Sequence, residues 1–144
     1  MLAKFHRERE KMSNDFLIAF GTDDGERLNN DHVGMARDFY IYRFSEGREE
    51  LVEERPNSKF GGDESMKHGD PEKARATSSA LMGVDVLVGK KFGPNITRLL
   101  KKFVCVVVKT DSLGTAIRTV HDNMDTIVDE KGKGEDRKTI VLSP

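Results

Sequence analysis

The chain has one cysteine, Cys105, among 144 residues. A single thiol excludes an intramolecular disulfide and the paired-cysteine spacings that hold zinc or a four-thiolate iron–sulfur cluster. Charge of one sign is also missing: 24 Lys and Arg stand against 25 Asp and Glu, a formal net charge of −1. Binding along a phosphate backbone needs a basic surface, so the balance argues against a general nucleic-acid partner. No apolar run is long enough to span a bilayer, which argues against a membrane partner. The first twelve residues, MLAKFHREREKM, are charged throughout and lack the apolar centre of a secretory signal. The expectation is a cytoplasmic protein. No internal repeat is visible.

What is present is one domain's worth of chain, 36% hydrophobic and 34% charged. Residues 1–14 read as a charged arm. Residues 16–20, FLIAF, are apolar without alternation, the mark of a strand buried on both faces. A polar turn with Asp23 and Asp24 follows. Residues 39–44, FYIYRF, read as a second strand, Glu46-Gly47 as a hairpin turn, and residues 51–55 as a short charged edge strand. Residues 57–69 have little to bury and read as a mobile surface loop. Asp70-Pro71-Glu72 is a helix start: N-cap, Pro at the first helical position, acid in the first turn. Gly83 fits its stop.

The second half changes rhythm. Residues 84–88 and 103–108 read as buried strands. Gly93-Pro94 opens a helix carrying Ile96, Leu99, Leu100 and Phe103 on one face, and Ser112 or Thr115 caps another. Residues 129–137 read as flexible, and Ile140-Val141-Leu142 as an added edge strand or a contact with a neighbour. A meander followed by strand–helix–strand–helix predicts an α/β fold: one mixed sheet of about five strands, helices on both faces, residues 16–20 at its centre.

Loops at the carboxyl ends of parallel strands converge on one edge of such a sheet. Three should meet here: residues 21–37, 89–95 and 109–115. Gly89, Lys90, Lys91, Gly93 and Asn95 lie on a strand-to-helix turn, where free backbone N–H groups and two ammonium groups suit an anion. Gly114 and Thr115 offer a second helix start. Tight-turn geometry is the competing account of these glycines. The adjacent carboxylates Asp23 and Asp24 suggest a rival, a divalent-metal-dependent nuclease of ribonuclease H type. Their plainer role is turn formation, and the neighbouring strand ends do not supply the further acids that a two-metal site needs.

In order and spacing, three segments resemble the dinitrogenase iron–molybdenum cofactor biosynthesis family: Thr22-Asp23-Asp24-Gly25, His32-Val33-Gly34-Met35-Ala36-Arg37 and Phe39-Tyr40-Ile41-Tyr42. Residues 84–89, Gly93-Pro94 and Gly114-Thr115-Ala116 are similar to the rest of its pattern, and the resemblance covers roughly residues 15–125. It implies a three-layer, ribonuclease H-like α/β/α domain over 15–125, with a C-terminal tail over 126–144. It further implies a non-catalytic binding or carrier protein. The cargo would be an iron–sulfur or iron–molybdenum type cluster or its precursor, and the partner a cofactor-assembly protein.

His32 matches the family histidine and is the leading metal ligand, against the alternative of a loop histidine bonded to its own turn. Gly34, Met35 and Arg37 share its segment as cofactor contacts. The chain departs from the family pattern at Val33, Met35, Lys90 and Lys91. His68 enters as a second metal candidate on a loop able to fold over a cluster, against a solvated histidine. His121 sits near a helix end, where the dipole accounts for it. Cys105, inside an apolar strand, reads as core. A third reading is a protein-binding regulatory domain that uses residues 140–142 to pair with another sheet.

Overall fold

A computed structural model describes residues 15–57 and 71–144. The arm 1–14, His68 and the helix start at Asp70 lie outside the described residues. Six strands form one sheet: β1 (Phe16–Thr22), β2 (Asp38–Ser45), β3 (Arg48–Pro56), β4 (Val86–Gly89), β5 (Val104–Val108) and β6 (Ile140–Leu142). Among the described residues four helices accompany them: α1 (Pro71–Ala80), α2 (Ile96–Leu100), α3 (Leu113–Asp122) and α4 (Met124–Lys131). Short 3₁₀ turns lie at Val33–Met35 and Gly134–Asp136.

The strand order is β3-β2-β1-β4-β5-β6, and β2 alone runs against the others. The sheet has six strands rather than five, because residues 140–142 pair parallel to β5, Val106 with Ile140 through Val108 with Leu142. β1 lies between the two halves, antiparallel to β2 on one side and parallel to β4 on the other. Its unbroken apolar run follows from burial on both faces. Ile18 and Phe20 join Val86, Val88, Val104 and Val106 under α3 and α4, where Ala116, Ile117, Val120 and Ile127 pack. Ala19, Leu87 and Cys105 face the other way, against Val33, Leu81, Leu99 and Phe103.

β3 is the charged edge. Every residue of it except Arg55 is exposed, and a register shift opposite Ile41 and Tyr42 interrupts its pairing with β2. Charge and a bulge both discourage further strand addition.

Two expectations need correction. The helix after Gly93 is only five residues long, because its chain turns at Lys101–Lys102 to deliver Phe103 to the core. Residues 129–137, expected to be flexible, are the end of α4 and a 3₁₀ turn. The mostly buried Glu130 accepts the Lys138 amide (2.7 Å) and the Lys133 ammonium (3.2 Å). The guanidinium of Arg137 donates to the carbonyls of Leu100 (3.2 Å) and Lys131 (3.3 Å). These side-chain bonds supply the order that the charged composition alone does not suggest.

Candidate functional site

Three loops do meet at the carboxyl ends of β1, β4 and β5, and their backbones are stitched together. Leu28 N–H donates to Asp111 O (2.9 Å), Leu113 N–H to Glu26 O (3.0 Å), and Val33 N–H to Lys91 O (3.0 Å). The Lys90 ammonium bonds Asn30 Oδ1 at 2.8 Å and forms an ion pair with Asp111 Oδ1. That bond holds the Asp111 carboxyl below its ordinary range. Lys90 is therefore a clasp between the first and third loops, with two of its three protons engaged.

The first loop is built by its own side chains. Thr22 Oγ1 donates to Arg27 O and accepts from Gly25 N–H. Asp24 Oδ1 accepts the amides of Glu26 and Arg27, each at 2.9 Å, and Oδ2 accepts Arg27 Nε at 3.1 Å. The two amides come first among the causes that lower its pKa to about 2. Asp23 Oδ1 accepts the Arg37 amide at 2.8 Å. Both carboxylates thus serve the turn, and among the described residues no three His, Cys, Asp or Glu cluster so as to hold a metal ion. The nuclease reading is not favoured. The regulatory reading loses its support as well, since residues 140–142 pair within their own sheet.

His32 stands before the 3₁₀ turn. Its amide donates to Asp31 Oδ1 (2.7 Å), and its carbonyl accepts from Met35 N–H (2.8 Å) and Asn29 Nδ2 (3.0 Å). Its half-buried imidazole lies on the backbone of Gly93. A Cβ added there would stand 2.9 Å from ring atoms Cγ and Cε1, and nearer still to Nδ1. Only glycine permits that approach. Val33, fully buried, fills the space over Gly89, where an added Cβ would come within 2.8 Å of its side chain.

The other predicted residues divide into two groups. Gly34 is held by its carbonyl, which accepts from Asn57 Nδ2 at 2.9 Å; Met35 is half-buried in the same turn. Arg37 is exposed, its Nε 4.0 Å from Asp38 Oδ2, and Lys91 is exposed with no ion pair among the described residues. Asn95 Oδ1 accepts from Arg98 Nη1 (3.3 Å) instead of capping α2. The Thr115 amide is taken by the N-cap Ser112 Oγ (3.1 Å), and Gly114 is exposed one residue earlier. His121 is placed elsewhere, bonding Glu49 Oε2 at 2.8 Å beside the opposite end of β1. Cys105 is buried, its thiol pushed up to about 12 by desolvation, which removes it as a thiolate donor. Sequence reasoning missed Asn29 and Asn57, and it weighed Asp111 only as a metal ligand, not as the partner of Lys90. Asn and Asp in a loop signal turns, and nothing local says which of them is buried.

Fold and loops together define a class: a mixed α/β domain with a loop-built surface at its parallel strand ends. A family model described as dinitrogenase iron–molybdenum cofactor matches residues 14–126. The chain belongs to that family, which connects it with the binding or assembly of that cofactor. A search of curated proteins finds no match. No helix among the described residues is long and apolar enough to cross a membrane.

Proposed function

We propose that this protein is a non-catalytic carrier that holds an anionic iron–sulfur or molybdenum-containing cluster, or its precursor, as transient cargo during metallocofactor assembly. The observation that carries the reading is the seating of the His32 imidazole on Gly93, where the first and second loops meet. One imidazole is a modest donor set. It suits a protein that must release what it binds to an assembly partner, and it does not suit a resident multi-ligand site. His32 is the ligand in this reading. Lys91 and Arg37 supply exposed positive charge, while Lys90 holds the loops together. We also infer that residues 15–125 carry the binding function in a ribonuclease H-like domain, and that 126–144 complete the scaffold. The support is the order β3-β2-β1-β4-β5 with β2 alone reversed.

The test is anaerobic titration with ferrous iron and sulfide, and separately with tetrathiomolybdate, followed by metal analysis. Wild type should retain the anion in a defined ratio, and His32→Ala should lose it. Failure of wild type to retain either probe, or equal retention by His32→Ala, rejects the reading.

A further inference from the structure

Asn29 is 2% exposed, one of the few polar side chains in the interior. Its backbone N–H donates to Gly21 O at 3.0 Å, tying it to the end of β1. Its side-chain NH₂ donates both protons, to Asp31 O and to His32 O, each at 3.0 Å. Its Oδ1 is buried over Gly21 and has no hydrogen-bond partner among the described residues. Only the NH₂ end of the amide is used, and a buried acceptor is left unmet to use it. Fold stability alone would favour a residue without that orphan oxygen. Breaches of this kind gather where geometry is fixed for a site.

The bonds around His32 show what is fixed. Its N–H, its carbonyl and the following amide, Val33 N–H, are all held. The ring then rests on a glycine, with Val33 locked beneath on Gly89. Asn29 ties the loop to the central strand through its backbone N–H, while its buried side-chain amide gathers the loop's own carbonyls. We propose that Asn29 is a positioning residue: its amide gathers the carbonyls of Asp31 and His32 so that the His32 imidazole is held against Gly93, presented to an anionic metal–sulfur ligand. The proposal rests on the reading of His32 as the ligand. A ligand held by a fixed neighbour loses less freedom on binding, so its affinity depends on that neighbour.

The experiment compares wild type, Asn29→Ala, Asp31→Ala and His32→Ala. Asp31 is exposed and its carboxylate supports the same His32 amide, so Asp31→Ala probes the frame even where a buried substitution fails to fold. Two readouts are taken: tetrathiomolybdate retention by equilibrium dialysis, and the His32 ring resonances by NMR. A purely structural role for Asn29 would lower Tm and leave the ring signals in place. The expected result is a weakening of about tenfold in Asn29→Ala, by analogy with residues that orient metal ligands. The His32 signals should move toward those of a solvated histidine, and Asp31→Ala should shift both readouts the same way. Wild-type ring signals and retention in Asn29→Ala overturn the proposal; if that variant does not fold, the same result in Asp31→Ala does so. Equal retention by His32→Ala and wild type instead rejects the carrier reading, and the ring signals still decide whether Asn29 positions His32.

Discussion

The contact between His32 and Gly93 is a residue-scale device with a direct test. A methyl group at position 93 meets the ring, and the ring is the part able to swing aside. Gly93→Ala should therefore change stability by less than about 1 kcal/mol while displacing the imidazole. Thermal melts and the His32 ring resonances check the two halves separately. Asp24 gives a pH dependence at the same scale. Its folded pKa of about 2 lies below the ordinary 3.8, so its contribution is present above about pH 4 and fades as pH falls toward 2. The protection factors of the Glu26 and Arg27 amides, taken relative to intrinsic exchange at each pH, should fall through that window, and Asp24→Ala should remove the pH step.

At the scale of elements, the three loops are held by long-range bonds as well as by packing: Leu28 and Leu113 share one core cluster, and Val33 lies over Gly89. Lys90 joins two of them through Asn30 and Asp111. Lys90→Ala should leave β4 and β5 intact and speed hydrogen exchange at Leu28 and Leu113, the amides that bridge the first and third loops, by about tenfold or more. Unchanged protection there would mean that the backbone bonds hold the loops unaided. α2 belongs to this scale too. A helix of five residues has little dipole to offer, so in the proposed carrier an anion would be drawn more by the charge of Lys91 and Arg37 than by the start of α2.

For the whole molecule, residues 126–144 are structural members of the domain. Ile127 is fully buried beneath the sheet, and β6 extends the ladder of β5. Lys131 reaches Asp85 Oδ1 at 2.7 Å, while Asp85 Oδ2 accepts the Leu17 amide at 2.9 Å, which binds α4 to the start of β4 and to β1. Ile127→Ala should cost about 3 kcal/mol by the usual loss of burial plus cavity. Urea unfolding followed by circular dichroism checks this; a cost below about 1 kcal/mol would place α4 outside the cooperative core.

Much of the framework was legible in the chain. The unbroken run 16–20 announced a strand covered on both faces, charge on residues 51–55 announced an edge, and Ser112, with Thr115 as the alternative, offered the cap of α3. Convergence of the three loops followed from the order of strands and helices. These features are encoded by near neighbours, through periodicity, capping and turn chemistry. The rest was decided by contacts between distant segments. Lys90 meets Asn30 across sixty positions, Arg137 meets Leu100, and Asn29 turns inward to hold His32. A lysine reads the same whether it faces an anion or an aspartate, and an asparagine the same in water or in a core. Packing alone determines which partner each one finds, and so which residues present the site and which merely hold it together.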